Sequence, residues 1–192
     1  DYTTKGFFYL SDNVGNMKIA ERLPAIEEPV SHSVSSADAY LLYENELENV
    51  LPLGSGKQWF GEKFKNCSVK NIDFALTDID PSEQVKIRIN AIARSFAKSE
   101  LKLEVNQSEI GALNFNQVNT GSQTSSYANE QQEIFSSDVQ ESQAKVTLKY
   151  YGNRINNSGD DNAICWLDYV EINYLRRLKF GNEALFFRDK SS

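Results

Sequence analysis

Apolar and polar residues alternate along this chain in short bursts. The clearest burst covers residues 84–95, where Val85, Ile87, Ile89, Ala91 and Ala93 fall on one side and Lys86, Arg88 and Asn90 on the other. A period of two held over five pairs is the mark of a strand with one buried face. Leu101, Leu103 and Val105 repeat the pattern against Lys102, Glu104 and Asn106, and residues 110–113 continue it past a break at Asn106-Gln107. Residues 97–100 read as the turn between these strands. Alternation also marks residues 71–76, residues 144–150 through Val146, Leu148 and Tyr150, and residues 164–180, with Val170, Ile172 and Tyr174 on one face. Weaker candidates are residues 6–10, a hairpin partner at 17–21, residues 37–46, an edge segment at 127–136 and a closing segment at 184–188. About nine or ten strands, short connections and no amphipathic helix predict an all-β fold, an antiparallel β-sandwich of jelly-roll type.

Composition narrows the function classes. At 192 residues and 40% hydrophobic, the chain fits a single domain over residues 1–192. A net charge of −7 argues against nucleic acid as a partner, because phosphate backbones call for a basic face. No apolar run approaches the ~20 residues needed to span a bilayer as a helix, and no signal-peptide pattern opens the chain. Asp1 in place of an initiator Met predicts a processed chain or a piece of a longer one. Cys67 and Cys165 could form one bridge, but two free buried thiols are the expectation. Two cysteines and the single His32 cannot furnish four zinc ligands without carboxylates, so no metal is expected. Residues 153–162 are rich in oxygen ligands, yet they match no EF-hand spacing, and turn chemistry explains them more cheaply.

One stretch stands out, Gly54-Ser55-Gly56-Lys57-Gln58-Trp59-Phe60-Gly61-Glu62-Lys63-Phe64. Gly54 and Gly56 permit a tight turn just before Trp59, and Gly61 permits close approach to the backbone. Leu51 and Gln58 occupy the places where a phosphate loop needs Gly and Ser or Thr. Trp59 stands where a dinucleotide fingerprint needs its third glycine. No cofactor is implied. The turn either seats Trp59 and Phe60 in a core, the usual fate of large aromatics, or presents an aromatic and the acid Glu62 at a contact site.

Catalytic chemistry is not visible. A serine triad or a Cys-His dyad needs a histidine base, and His32 lies in a loop with no carboxylate near it in sequence. The 27 acidic residues always allow some carboxylate pair, but no spacing selects one. Taken by itself the chain does not read as an enzyme.

Three regions resemble the PorU family, the type IX secretion sortases of the Bacteroidetes. The opening residues 1–10 look like the segment where those proteins enter a β-region. The turn is similar to the family's Ser-Gly-Arg-Glu-Trp-(Tyr or Phe)-Gly-Glu-x-Phe. Ser55, Gly56, Trp59, Phe60, Gly61, Glu62 and Phe64 match, while Lys57 and Gln58 replace Arg and Glu. Tyr43-Glu44 stands where the family often has His-Glu. Leu167-Asp168-Tyr169-Val170-Glu171-Ile172, with Arg176, Leu178 and Phe187-Arg188, follows the family's closing strand.

The resemblance implies a β-sandwich region lying before a gingipain-like cysteine peptidase domain, with the catalytic Cys and His after Ser192. In the family that peptidase removes the sorting domain of secreted cargo at the cell surface, on the outer membrane. The implied partners are the peptidase domain of the same chain and secreted cargo or other secretion components. Trp59, Phe60, Glu62 and Arg188 are the candidate contact residues, and no catalytic residue is carried over. The alternative is an independent carbohydrate-binding jelly roll, with Trp59 or Tyr151 stacking on sugar rings. Asp168 and Arg176, an even spacing apart, should share a strand face ~26 Å from each other, too far to pair.

Overall fold

In a computed structural model the described residues are 33–45, 59–118, 126–152 and 163–179. The chain divides into two units, Asp1–Ser33 and Val34–Ser192, and all the described strands belong to the second. The segments expected at residues 6–10, 17–21 and 184–188, His32, the 153–162 loop and Arg188 lie outside the described residues.

Nine strands and no helix are present among the described residues: β1 (Ser36–Glu44), β2 (Lys63–Lys65), β3 (Val69–Ala75), β4 (Val85–Arg94), β5 (Ser99–Val105), β6 (Ser108–Phe115), β7 (Asn129–Ser137), β8 (Gln143–Tyr151) and β9 (Ile164–Arg177). They form two antiparallel sheets. The first runs β1-β9-β4-β7, with β2 also paired to β9, and the second runs β3-β8-β5-β6. The chain passes repeatedly from one sheet to the other, which is consistent with the jelly-roll wrap that the alternation predicts.

The core is the alternation made physical. Val85, Ile87, Ile89, Ala91 and Ala93 of β4 face Leu101, Leu103 and Val105 of β5 and Val146, Leu148 and Tyr150 of β8 in one continuous cluster. Val170, Ile172 and Tyr174 of β9 complete it. Tight turns fix the registers. Asn106 and Gln107 take positive φ (48° and 71°) and join β5 to β6 as a two-residue hairpin loop. β5 already begins at Ser99, so the turn expected at 97–100 is shorter than the sequence suggested. The polar residues there still pair, because a ladder is set by backbone hydrogen bonds.

β9 carries a bulge. Asn90 of β4 pairs with Tyr169 and Ala91 with Leu167, which leaves Asp168 as an extra residue. The slip turns Asp168 to the outer face, where Asn90 bonds it, while Arg176 falls in phase with inward-facing Val170, Ile172 and Tyr174. The expected shared face is therefore wrong: an even spacing holds only in an unbroken strand. Arg176 instead lies 4.0 Å from Asp78 on the β3–β4 connection.

Both cysteines are free, Cys165 buried and Cys67 exposed. The expectation of a buried Cys67 fails because Cys67 occupies the left-handed turn (φ 61°) between β2 and β3, with no core on either side of it. Burial pushes the Cys165 thiol well above the usual range.

Candidate functional site

The glycine-tryptophan turn enters the described structure at Trp59, where one edge strand gives way to another. β1 runs beside β9 from Arg177 to Tyr169, and β2 takes over from Trp166 to Ile164. Between them Gly61 donates its N–H to the Leu167 carbonyl at 2.8 Å, and Leu167 donates to the Glu62 carbonyl at 3.0 Å. Leaving β1, the chain crosses over Gly61, and this close approach is why the position has no side chain.

Around that crossing a polar clasp spans the mouth of the sandwich. Glu62 Oε1 accepts a short hydrogen bond from the Tyr43 hydroxyl of β1, one at 2.9 Å from Lys70 Nζ of β3, and a longer one of 3.4 Å from Asn45 Nδ2. The Lys70 ammonium also lies 5.6 Å from the centre of the Tyr43 ring, within cation–π range. The clasp thus ties β1 of the first sheet to β3 of the second. Burial works to raise the Glu62 pKa, but the bonds from Tyr43 and Lys70 outweigh it and hold the carboxyl below its ordinary value. The Glu62 hydrogen bond, before all else, raises Lys70, and burial, followed by the bond to Glu62, raises Tyr43.

The neighbouring aromatics part company. Phe60 is 3% exposed and packs with Ile92 and Trp166 in a small cluster on the outer face of the first sheet. Trp59 is 47% exposed. The expectation that Trp59 anchors the turn in a core is corrected: consecutive residues in extended backbone point to opposite sides, and it is Phe60 that lies against Ile92 and Trp166. Glu62 is engaged in the clasp rather than held out to a partner.

The outer faces of the two sheets differ in character. On the second sheet, Lys149 pairs with Glu104 at 2.5 Å and Lys102 with Glu109 at 3.0 Å, and Tyr151 is half-buried opposite Glu100. On the first sheet Tyr40 (69%), Leu42 (51%) and Ile134 are exposed beside an Arg88–Glu171 pair. A hollow of about 480 Å³ opens there, lined by Lys86, Arg88, Ile134, Asn173 and others. Near Phe60, Arg94 stacks 4.4 Å from the Tyr127 ring. Nothing in the sequence singled out this face, because its residues come from strands far apart in the chain. Among the described residues no three Asp, Glu, His or Cys side chains converge in a way that could hold a metal ion.

No family model and no curated protein matches this sequence. Among solved structures, the chain is similar to the dimeric latent PorU of Porphyromonas gingivalis. The match has a TM-score of 0.63 at 18% identity and covers 83% of this chain and 14% of that one. A lesser similarity is to the CBM36-1 domain of a multidomain xylanase from the hindgut metagenome of Trinervitermes trinervoides. It has a TM-score of 0.44 at 8% identity and covers 70% of this chain and 95% of that one, below the level at which a shared fold follows. The chain therefore shares its sandwich fold with a region of PorU.

Proposed function

We propose that this chain is a non-catalytic β-sandwich module of a type IX secretion sortase at the cell surface, associated with the outer membrane. It packs on the cysteine peptidase domain of the same protein or orients secreted cargo for it. The observation that carries this reading is the fold match to PorU over 83% of the chain. The residues Ser55, Gly56, Trp59, Phe60, Gly61, Glu62 and Phe64 add to it, since they follow the family's turn in order. The role of Gly61 as a backbone crossing gives that motif a structural reason. The module's work is then architectural, and the peptidase chemistry belongs to another part of the protein.

Deletion of the module from the full-length protein tests this. Cargo processing should fall while the remaining peptidase domain still folds, and Arg188→Ala should weaken processing without changing the melting of the module alone. Normal processing by the deletion variant overturns the proposal.

A second reading, a carbohydrate-binding jelly roll, is favoured by the exposure of Trp59, since an uncovered indole offers a face for a sugar ring. Glycan-array binding that is abolished in Trp59→Ala would support it. Absence of binding to any glycan leaves the sortase reading alone.

A further inference from the structure

β7 closes the first sheet on one side. It pairs with β4 along its whole length, and among the described residues no strand flanks its other side. Every second residue of such an edge turns its N–H and C=O away from the sheet. Proteins blunt edges of this kind with proline, lysine, a bulge or a very short strand. Asn129–Ser137 is nine residues long, contains no proline or lysine, and keeps an unbroken register against β4. The β4–β9 and β5–β6 pairs, by contrast, both carry irregularities. β7 holds two acids. Glu130 is bonded to Asn90 on the outer face. Glu133 stands opposite core residue Ile89, yet it is exposed and has no ion-pair partner among the described residues. An inward charge deters pairing with an arbitrary strand and admits one that sets a cation opposite it.

Recesses border the C-terminal half of β7 on both of its faces. On the outer face lies the hollow of about 480 Å³, to which Ile134, 57% exposed, contributes beside Lys86 and Arg88. Toward the second sheet a cleft of about 300 Å³ opens against the β5–β6 hairpin, lined by Val105, Ser108, Ile110, Ser136 and Ser137. Phe135 reaches across to Gly111 of β6, where a β-carbon would stand 2.3 Å from its ring, so the two sheet edges come close there. Successive side chains of a strand point to opposite faces. A strand laid along β7 would therefore send alternate side chains toward the hollow and toward the cleft.

We propose that the β7 edge binds an extended peptide from a partner protein, added to the first sheet as a further strand. Main-chain hydrogen bonds supply the affinity of such an addition, and recesses for alternate side chains supply its selectivity. The peptide carries Lys or Arg opposite Glu133 and, next to it, an aliphatic residue opposite Ile134. Directly opposed side chains of opposite charge, or of apolar character, stabilise a strand pair. A second copy of this chain fits the edge less well, because β7 has no cation to set against Glu133.

The test titrates this chain with an end-blocked nonapeptide, Thr-Val-Thr-Lys-Val-Thr-Val-Thr-Thr, to about 1 mM, enough to reveal even weak specific binding. Backbone amide resonances report it. Shifts should centre on residues 129–137, with hydrogen exchange slowed at alternate amides of β7. Methylating every second amide nitrogen of the peptide should abolish binding in one of the two possible phases, since a missing N–H cannot pair. Glu in place of the peptide's Lys should weaken binding about fivefold, and Glu133→Lys should reverse that preference, as an exposed charge pair allows. Absence of shifts, shifts centred outside β7, or indifference to both methylation patterns overturns the proposal. So does a dimer of the chain joined through β7 without peptide, which would make a second copy the occupant.

Discussion

Gly61 passes beneath the main-chain carbonyl of Asn45, so closely that a β-carbon built on Gly61 would stand 2.3 Å from that oxygen. The contact is backbone against backbone, and no side-chain rotation relieves it. Gly61 is held in place from the other side by its hydrogen bond to Leu167. Gly61→Ala should therefore cost about 1–3 kcal/mol, as overpacked sites do, without unfolding the domain. Urea denaturation measures this, and an alanine variant as stable as the wild type would show that the crossing can part.

Glu62 gives the fold an acid-sensitive element. Its folded pKa lies below the unfolded value of about 4.3, so its contribution is fully present above that pH and is lost as pH falls through the folded value. Lys70 and Tyr43 are raised, so what they contribute is present below their unfolded values of about 10 and lost only as alkali takes pH through the folded ones. Glu62→Gln should destabilise the domain by roughly 1–3 kcal/mol at pH 7, since it removes the charge that Lys70 and Tyr43 share. The gap between variant and wild type should close below about pH 4, where the wild-type carboxyl is also protonated. Denaturation midpoints across pH 3–8 decide the matter, and a gap constant with pH would rule out this role for the charge.

Trp59 and Phe60 should respond oppositely to truncation. Phe60→Ala removes a buried ring from the cluster with Ile92 and Trp166 and should cost about 3–5 kcal/mol. Trp59→Ala alters a half-exposed side chain and should stay near the ~0.5 kcal/mol typical of surface changes. Calorimetric midpoints of the two variants separate these cases. A larger loss from Trp59→Ala would mean that the indole is covered in solution.

The difference between these two residues also marks where the sequence stops being legible. Alternation in residues 84–95 and 144–150 is a local property, and every apolar position it assigned inward is buried. Which of two adjacent aromatics is covered by Ile92 and Trp166 depends on pairing with β9, about a hundred residues away, and a slip of one residue would exchange them. The bulge at Asp168 was invisible for the same reason: it is defined only against Asn90 on another strand. Tyr43 and Lys70 meet Glu62 across the sandwich, from strands in different sheets, so no spacing could have announced the clasp. The exposed Cys67 follows from a left-handed turn that composition does not encode.

The place of β9 in the first sheet has a consequence for how the molecule reaches its fold. β9 is the ninth strand in chain order, yet it is the common neighbour of β1, β2 and β4. During synthesis those three strands emerge long before the surface they share, and their apolar faces must wait. Contacts this distant in sequence make folding slow, because loop closure is costly before any pairing rewards it. The β5–β6 hairpin is free of that delay, since its two-residue turn lets it form as soon as it appears. Assembly of the second sheet can therefore begin early, while in the first only β4 and β7 can pair before residues 164–177 arrive to join β1, β2 and β4. A ribosome stalled before residue 164 would hold a chain whose second sheet and β4–β7 pair can form, while the other edge of β4 stays open to association with other chains.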